Sequence, residues 1–532
     1  MTVAERAYTR RWWILMVLCL SLVVITLDNT ILNVALPTLV SDLKATNSQL
    51  QWIVDSYTLV FAGLLLSAGA LGDRFGRKGA LQIGLAIFGF GSLISVFASS
   101  PDHLIVTRAV MGIGGAFIMP ATLSILTNIF PAEERGKAIG IWAGVSAIGV
   151  AVGPLLGGFL IEHFSWHSIF AVNLPIVVAA IVLGALIVPT SKDPSAPKLD
   201  PLGALLSIVG LGALVYALIE APAKGWGDPQ ILTIFAVAVA TLGAFAWWES
   251  RVAEPMLDVS FFKNARFTAA SSAITLVFFA MFGFSFMLTQ YFQFVLGYTA
   301  LETGIRMLPL AFTMMVMGPI SPRAVARFGT KRVVATGLAL VAIALALNVT
   351  LQVDSSYTEV VWRMMLLALG MGLVMAPATE SIMGSLPLAK AGVGSAVNDT
   401  TRQVGGALGV AIVGSVLSSV YGSKIAEVLG GGNLPAEAVE TAKGSLGGAL
   451  AVARQAGAAG QSLQDAALGG FVDALHVAAL VAAVAATLGV IIVAVFLPAH
   501  AKREDVEIQA VEYEAELDEA EAHGEHLEVV GG

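Results

Sequence analysis

Charge is what this sequence has least of: only 12% of its 532 residues are Asp, Glu, Lys or Arg, against roughly 25% in ordinary soluble domains. Cysteine is nearly missing too. The single Cys19 excludes a disulfide within the chain, so the redox compartment cannot be read from it. The seven histidines are scattered. His163 and His167 flank Trp166 at a span boundary, where a place in the interfacial belt accounts for them without metal or catalysis. No G-x-x-x-x-G-K-[ST] phosphate loop occurs, and no polar stretch is long enough to house an ATPase. An enzyme, a bound metal, a cofactor and a nucleic-acid partner are therefore not expected, and any work must draw on an ion gradient.

What fills the chain instead is apolar, with 57% hydrophobic residues. Runs of the ~20 residues needed to cross a bilayer recur almost throughout, separated by short charged or Gly/Pro-marked turns. The reading is an all-α polytopic membrane protein embedded in lipid. About fourteen spans are expected, at roughly 12–36, 50–71, 79–99, 103–128, 137–160, 169–189, 201–220, 230–249, 268–290, 304–322, 331–352, 359–383, 395–420 and 471–497. The first run is too long for a signal-peptide core and lacks a small-residue cleavage pattern, so it counts as a span.

The net charge of −8 is concentrated in the tail after Lys502, which reads as a solvated, disordered extension. Assigning alternate loops to the two sides puts about twenty Lys and Arg on the side of both termini and about five opposite, so both termini are expected in the cytoplasm.

A weak repeat divides the chain. GDRFGRK (Gly72 to Lys78), after span two, has an echo in ARFGTKR (Ala326 to Arg332), after span ten, about 253 residues on. Two six-span bundles without an insert would give about 190, and the surplus matches two inserted spans at 201–249. The expected division is a bundle over 1–190, two inserted helices with linkers over 191–266, a second bundle over 267–500 with an extracytoplasmic loop at 421–470, and the tail 501–532. One surface helix, Pro435 to Val452, is expected in that loop.

Asp28 stands inside an apolar run, where an ionised side chain in lipid costs at least ~2.5 kcal/mol and needs a reason. At 1.5 Å per residue it lies about 12 Å below the outer end of span one, if that span closes near Leu36. Asp55 of span two and Arg108 of span four fall about 8 Å below their outer ends, in the same layer. Burial and a nearby guanidinium pull a carboxylate's proton affinity in opposite directions, and that competition suits a proton-coupled site. Asp28 is then the substrate or proton-linked acid, Arg108 its partner, and Asp55 a second proton site or an outer structural charge. A static salt-bridge triad is the other reading.

Glu380, Asp399 and Arg402 lie at cytoplasmic depth and form either an inner gate or an ordinary boundary ion pair. Span nine and its exit, with Phe279, Phe282, Phe286, Met287 and Tyr291, and span ten with Met314, crowd aromatic and Met side chains together. Such stripes are commonly core or lipid-facing, yet they also make an adaptable wall for hydrophobic cations. Gly149, Gly153 and Gly157 recur every four residues on one face of span five and allow close helix approach, while Pro154 removes a backbone hydrogen bond and bends the span.

Four stretches together carry a resemblance: LDNTILNVALP (Leu27 to Pro37), GALGDRFGRK (Gly69 to Lys78), RAVMGIGGA (Arg108 to Ala116) and GVAVGPLLGG (Gly149 to Gly158). The chain resembles the fourteen-span drug/proton antiporters of the major facilitator superfamily, the QacA/EmrB-like branch. The resemblance implies the major facilitator fold in a bacterial cytoplasmic membrane, acting as a monomer. It implies a multi-pass exporter that trades protons for lipophilic small molecules, such as cationic disinfectants, dyes or antibiotics. It also implies that Gly69, Asp73, Arg74, Gly76, Arg77 and Lys78 clamp the bundles on the cytoplasmic side, and that Gly149 to Gly158 is the motif of exporters. A dedicated exporter of one endogenous antibiotic or lipid is the alternative within transport. A non-transporting sensor or scaffold is the alternative outside it.

Overall fold

The computed structural model describes residues 3–43, 47–192, 200–429 and 435–498. Among them, thirteen helices are long and apolar enough to cross a membrane. In chain order the long helices are α1 (Val3–Leu43), α2 (Asn47–Phe75), α3 (Arg77–Ser95), α4 (Pro101–Ile129), α5 (Ala132–His163), α6 (Asn173–Ile187), α7 (Pro201–Lys224), α8 (Pro229–Glu249), α9 (Ala265–Gln290), α10 (Ala300–Phe328), α11 (Thr330–Ala346), α12 (Tyr357–Met383), α13 (Ala391–Leu429) and α14 (Gln461–Phe496). The Gly-rich α5 is not one of the thirteen, but its 32 residues cover the fifth expected span and pack along α1 and α10.

Local chemistry marks where these helices begin. Ser100, Asp200 and Asp228 each accept from a backbone N–H of the first turn and are each followed by proline, which suits a first helical position because its missing donor is not needed there. Thr299 and Glu302 close a capping box on α10. Three prolines sit within α10, at 309, 319 and 322, as membrane helices tolerate when neighbours satisfy the freed carbonyls.

The packing repeats itself. Within the first six helices, α1 lies against α4, α5 and α6, α4 against α2 and α3, and α3 against α6. Eight helices on, α9 lies against α12, α13 and α14, α12 against α10 and α11, and α11 against α14. Particular glycines carry the correspondence. Gly76 and Gly329 close the two equivalent turns with φ of 114° and 80°, a left-handed backbone open to glycine at little cost. A Cβ on Gly84 would come within 2.8 Å of the Gly114 carbonyl across α3/α4, and one on Gly337 within 2.7 Å of the Gly370 carbonyl across α11/α12. The interval from Gly76 to Gly329 is also that from Gly84 to Gly337. Lipid tails supply no hydrophobic drive for helices to associate, so close backbone contact of this kind carries the packing.

The two halves meet along two seams, α5 against α10 and α2 against α13, which the repeat exchanges. α7 and α8 pair with each other, and α7 also rests on α2 and α13. At the α2–α3 end, Arg11 donates to Glu134 at 2.6 Å, tying α1 to α5, and that hydrogen bond holds the Glu134 carboxyl below its ordinary range.

Three boundaries differ from expectation. α1 passes through Pro37 to Leu43, so Asp28 lies further from the helix end than a span closing at Leu36 implies. The loop expected over 421–470 is shorter, because α13 reaches Leu429 and α14 starts at Gln461. Its single expected surface helix is two, Ala436–Gly444 and Leu446–Gln455, divided where extended Ser445 caps the second by accepting from Gly448 N. The tail 501–532 lies outside the described residues.

Candidate functional site

Asp28 of α1 and Arg108 of α4 are each 1% exposed and face one another inside the first bundle. One carboxylate oxygen, Oδ2, accepts from the Arg108 guanidinium. The other, Oδ1, accepts from Asn173 Nδ2 of α6 at 2.9 Å, and the same amide also donates to Ser92 Oγ of α3 at 3.2 Å. Arg108 also donates to the Ile53 carbonyl at 3.3 Å and to Asn29 Oδ1 at 3.5 Å, and its guanidinium carbon lies 4.4 Å from the centroid of the Tyr57 ring. The Tyr57 hydroxyl and Asn173 Oδ1 are buried polar atoms with no partner here. Four helices besides α1 therefore converge on one carboxylate and its guanidinium.

Asp55, expected in the same layer, is half-buried. It lies two residues from Tyr57, about 200° of helical turn, so it stands on a different face of α2 from the ring beneath Arg108. Asn173, Ser92 and Tyr57 were not singled out in the sequence. Neutral side chains in apolar helices are common, and only the meeting of α3, α6 and α2 beside Asp28 gives these three a role.

The second assembly is the α2–α3 turn. Asp73 Oδ1 accepts from Arg77 Nε at 2.8 Å and from Gly392 N at 2.8 Å, and Oδ2 accepts from Val393 N at 3.0 Å. Arg77 reaches across to the carbonyls of Leu388 and Ala389, both at 2.9 Å. A carboxylate from one bundle thus caps the N-terminus of α13 in the other, satisfying orphan amides and the positive end of the helix dipole. Gly69 lets the backbones meet, since a Cβ there would lie 2.6 Å from the Gly392 carbonyl. Lys78 donates instead to the Ala185 carbonyl of α6 at 2.8 Å, and the Arg74 guanidinium lies over the Phe75 ring. At the other seam Ala326 occupies the place of Asp73, and the turn residue Gly329 is retained. There Gly140 of α5 and Gly318 of α10 touch backbone to backbone.

The glycines of α5 face the helix that carries Asp28. A Cβ on Gly149 would overlap Thr26 Oγ1, and one on Gly153 would overlap Thr30 Oγ1. Both hydroxyls are turned back onto α1, where Thr30 donates to the Thr26 carbonyl at 2.9 Å. Gly157 is buried, Gly158 approaches Leu301 of α10, and the Pro154 side chain lies outside the described set.

Glu380, Asp399 and Arg402 lie at a similar level, since Arg402 donates to the hydroxyl of Thr379, next to Glu380, at 3.2 Å, but they face different neighbours. α13 starts at Ala391, not near 395, because Asp73 caps it, so Asp399 and Arg402 lie about 12 and 16 Å inside the helix. Asp399 and Arg402 are 3.8 Å apart, and Arg402 lies between the rings of Trp142 at 4.9 Å and Phe278 at 5.4 Å. Glu380, three residues from the end of α12, faces Gly136 of α5 instead. The aromatic stripe also divides. Phe279, Met287 and Tyr291 are core, with the Tyr291 hydroxyl donating to the Gln352 carbonyl at 2.6 Å, while Phe282 and Phe286 are exposed. Met314 lines a void of about 10 Å³ between α5, α10 and α12. The six residues thus divide between core and exposed positions.

A family model described as the Major Facilitator Superfamily matches residues 18–410. The chain is 37% identical over 492 residues to the "Multidrug efflux pump LfrA" of Mycolicibacterium smegmatis, covering 91% of this chain and 97% of that protein. It is 34% identical over 472 residues to the "Methyl viologen resistance protein SmvA" of Salmonella typhimurium, covering 87% and 93%. Among solved structures, the human organic anion transporter MFSD10 shares the fold with a TM-score of 0.59 at 14% identity, over 93% of this chain and 100% of that one. With two repeated six-helix arrangements, a clasp between them and a family match over most of its length, the chain belongs to the Major Facilitator Superfamily.

Proposed function

We propose that this chain is a proton-coupled antiporter of a bacterial cytoplasmic membrane that exports lipophilic, chiefly cationic compounds by alternating access. The drug-efflux part rests on its relatives. One is a multidrug efflux pump, and the other is named for resistance to methyl viologen, a permanently charged aromatic dication. The termini and the Asp73 clasp are read as cytoplasmic from the bias of Lys and Arg.

The observation that carries the mechanism is the fully buried Asp28–Arg108 pair. Protonating Asp28 cancels its charge and releases Arg108, whose other acceptors, the Ile53 carbonyl and Asn29, are already in place. A positively charged substrate then takes the role of the proton. Asn173 and Ser92 hold the carboxylate in position while its partner changes. Proton entry at ~150 mV supplies ~3.5 kcal/mol, enough for a few-hundred-fold substrate gradient per proton at 1.4 kcal/mol per decade. The two bundles rock about the seams α5/α10 and α2/α13, with the Asp73 clasp closing the cytoplasmic side.

Ethidium efflux from energised cells producing the chain, with and without a protonophore, tests this reading. The native chain should give protonophore-sensitive efflux and Asp28→Asn should give none. Unchanged, protonophore-sensitive efflux in Asp28→Asn overturns the assignment of Asp28. Protonophore-insensitive efflux by the native chain overturns proton coupling.

A further inference from the structure

At the end opposite the Asp73 clasp, the chain leaves α9 through a π-helical turn, Tyr291–Val295, and turns back into α10. Single π turns inside or beside α-helices are frequent at functional positions. This one sets Phe292 against two tyrosines. The Phe292 ring lies 5.8 Å from Tyr298 and 6.2 Å from Tyr357, at the start of α12. Phe292 is fully buried and forms the back wall, whereas both tyrosines are half-exposed.

The box already holds a cation. The guanidinium of Arg306, on α10, sits 3.8 Å from the centroid of Tyr298 and 5.8 Å from that of Tyr357. Its polar ties are weak by comparison: a 3.8 Å ion pair with Glu302, itself 45% exposed, and a 3.4 Å hydrogen bond to the Glu302 carbonyl. Exposed i,i+4 pairs of this kind contribute little, so the aromatic faces hold the guanidinium more than the carboxylate does. The walls are kept in place independently of it, since Tyr357 donates its hydroxyl to the backbone carbonyl of Arg306 at 3.0 Å. Aromatic faces with a carboxylate at the rim are the chemistry that recognises quaternary and other delocalised organic cations.

We propose that Phe292, Tyr298 and Tyr357 form a cation-binding exit site at the mouth of the transporter, with Arg306 as a tethered occupant that a departing lipophilic organic cation displaces. The site rests on the export of cations proposed above. When a substrate arrives Arg306 leaves the rings and closes its present 3.8 Å contact with Glu302, and it returns to the box when the substrate leaves, which expels the substrate and disfavours its rebinding from outside.

The test uses the full chain in lipid nanodiscs and tetraphenylphosphonium as probe. Arg306→Ala should bind it about tenfold tighter than the native chain, because the competitor is gone. Adding Tyr298→Leu should abolish that gain. Adding Tyr298→Trp should keep it and so shows that the altered loop still folds. No gain in Arg306→Ala overturns the site. A gain that survives Tyr298→Leu also overturns it, because removal of a positive charge alone would then explain the effect. Transport of the probe by the native chain in proteoliposomes is read separately. Its absence alongside a Tyr298-dependent gain sinks the export reading and leaves the site standing, and its presence without the gain does the reverse.

Discussion

Asp28 shows why one side chain in lipid has to be explained by several others. An isolated carboxylate there is costly, and here both its oxygens are engaged, by Arg108 and by Asn173. Removing one member of a buried pair leaves an uncompensated charge and is expected to cost about 3–5 kcal/mol. Arg108→Ala should therefore lower the thermal stability of the purified protein sharply. The double variant Asp28→Asn/Arg108→Ala should recover most of that loss without recovering transport. Melting curves of the four proteins in one detergent check this; a double variant no more stable than Arg108→Ala shows that the pair does not act as a unit. Asp28 and Arg108 were legible in the sequence because a charge in an apolar run is conspicuous. Asn173 and Tyr57 were not, since neutral groups acquire a role only from what lies beside them.

At the scale of the element, α5 explains what its glycines do for α1. Gly149 and Gly153 are the places where the Thr26 and Thr30 hydroxyls, one turn apart and flanking Asp28, come against the α5 backbone. Overpacking such a contact costs about 1–3 kcal/mol. Gly153→Ala should lose stability and efflux together, and Thr30→Ala in the same chain should recover part of both, because it removes the overlapping oxygen but leaves the Thr30 Cβ 2.8 Å from the new methyl. Melting temperature and ethidium efflux measured side by side decide it; a double variant no better than Gly153→Ala would mean that glycine serves bending rather than close approach. The four-residue interval of these glycines predicted a close neighbour. It did not say which helix, because a glycine stripe carries no address.

At the scale of the whole molecule, two bundles are joined asymmetrically. The α2/α13 seam carries an ionic clasp, whereas the equivalent α5/α10 seam meets through Gly140 and Gly318. Asp73→Ala removes both amide acceptors from the start of α13 and strands Arg77. With cysteine introduced at the fully buried Ala396, beside Gly69, in a Cys19→Ser background, labelling by an impermeant maleimide in inside-out vesicles should run about tenfold faster, the effect of ~1.4 kcal/mol on opening. An unchanged rate would mean that glycine packing, and not the clasp, keeps this end shut.

The sequence by itself determined the solvent, the helices and the repeat. Low charge and recurrent apolar runs leave only structures that satisfy their backbone internally, and the interval between the Gly76 and Gly329 turns dates from the linear pattern alone. Helix caps such as Ser100 and Asp228 were likewise local, each written within four residues. Tertiary structure alone decided which charges meet. It put Asp28 with Asn173, 145 residues away, set Asp73 on the amides of Gly392 and Val393, and turned Glu380 toward Gly136 while Asp399 faces Arg402. The physical reason is range. Propensity and capping act over a turn of chain, whereas a buried carboxylate finds its partners in whatever helix the packing brings within 3 Å.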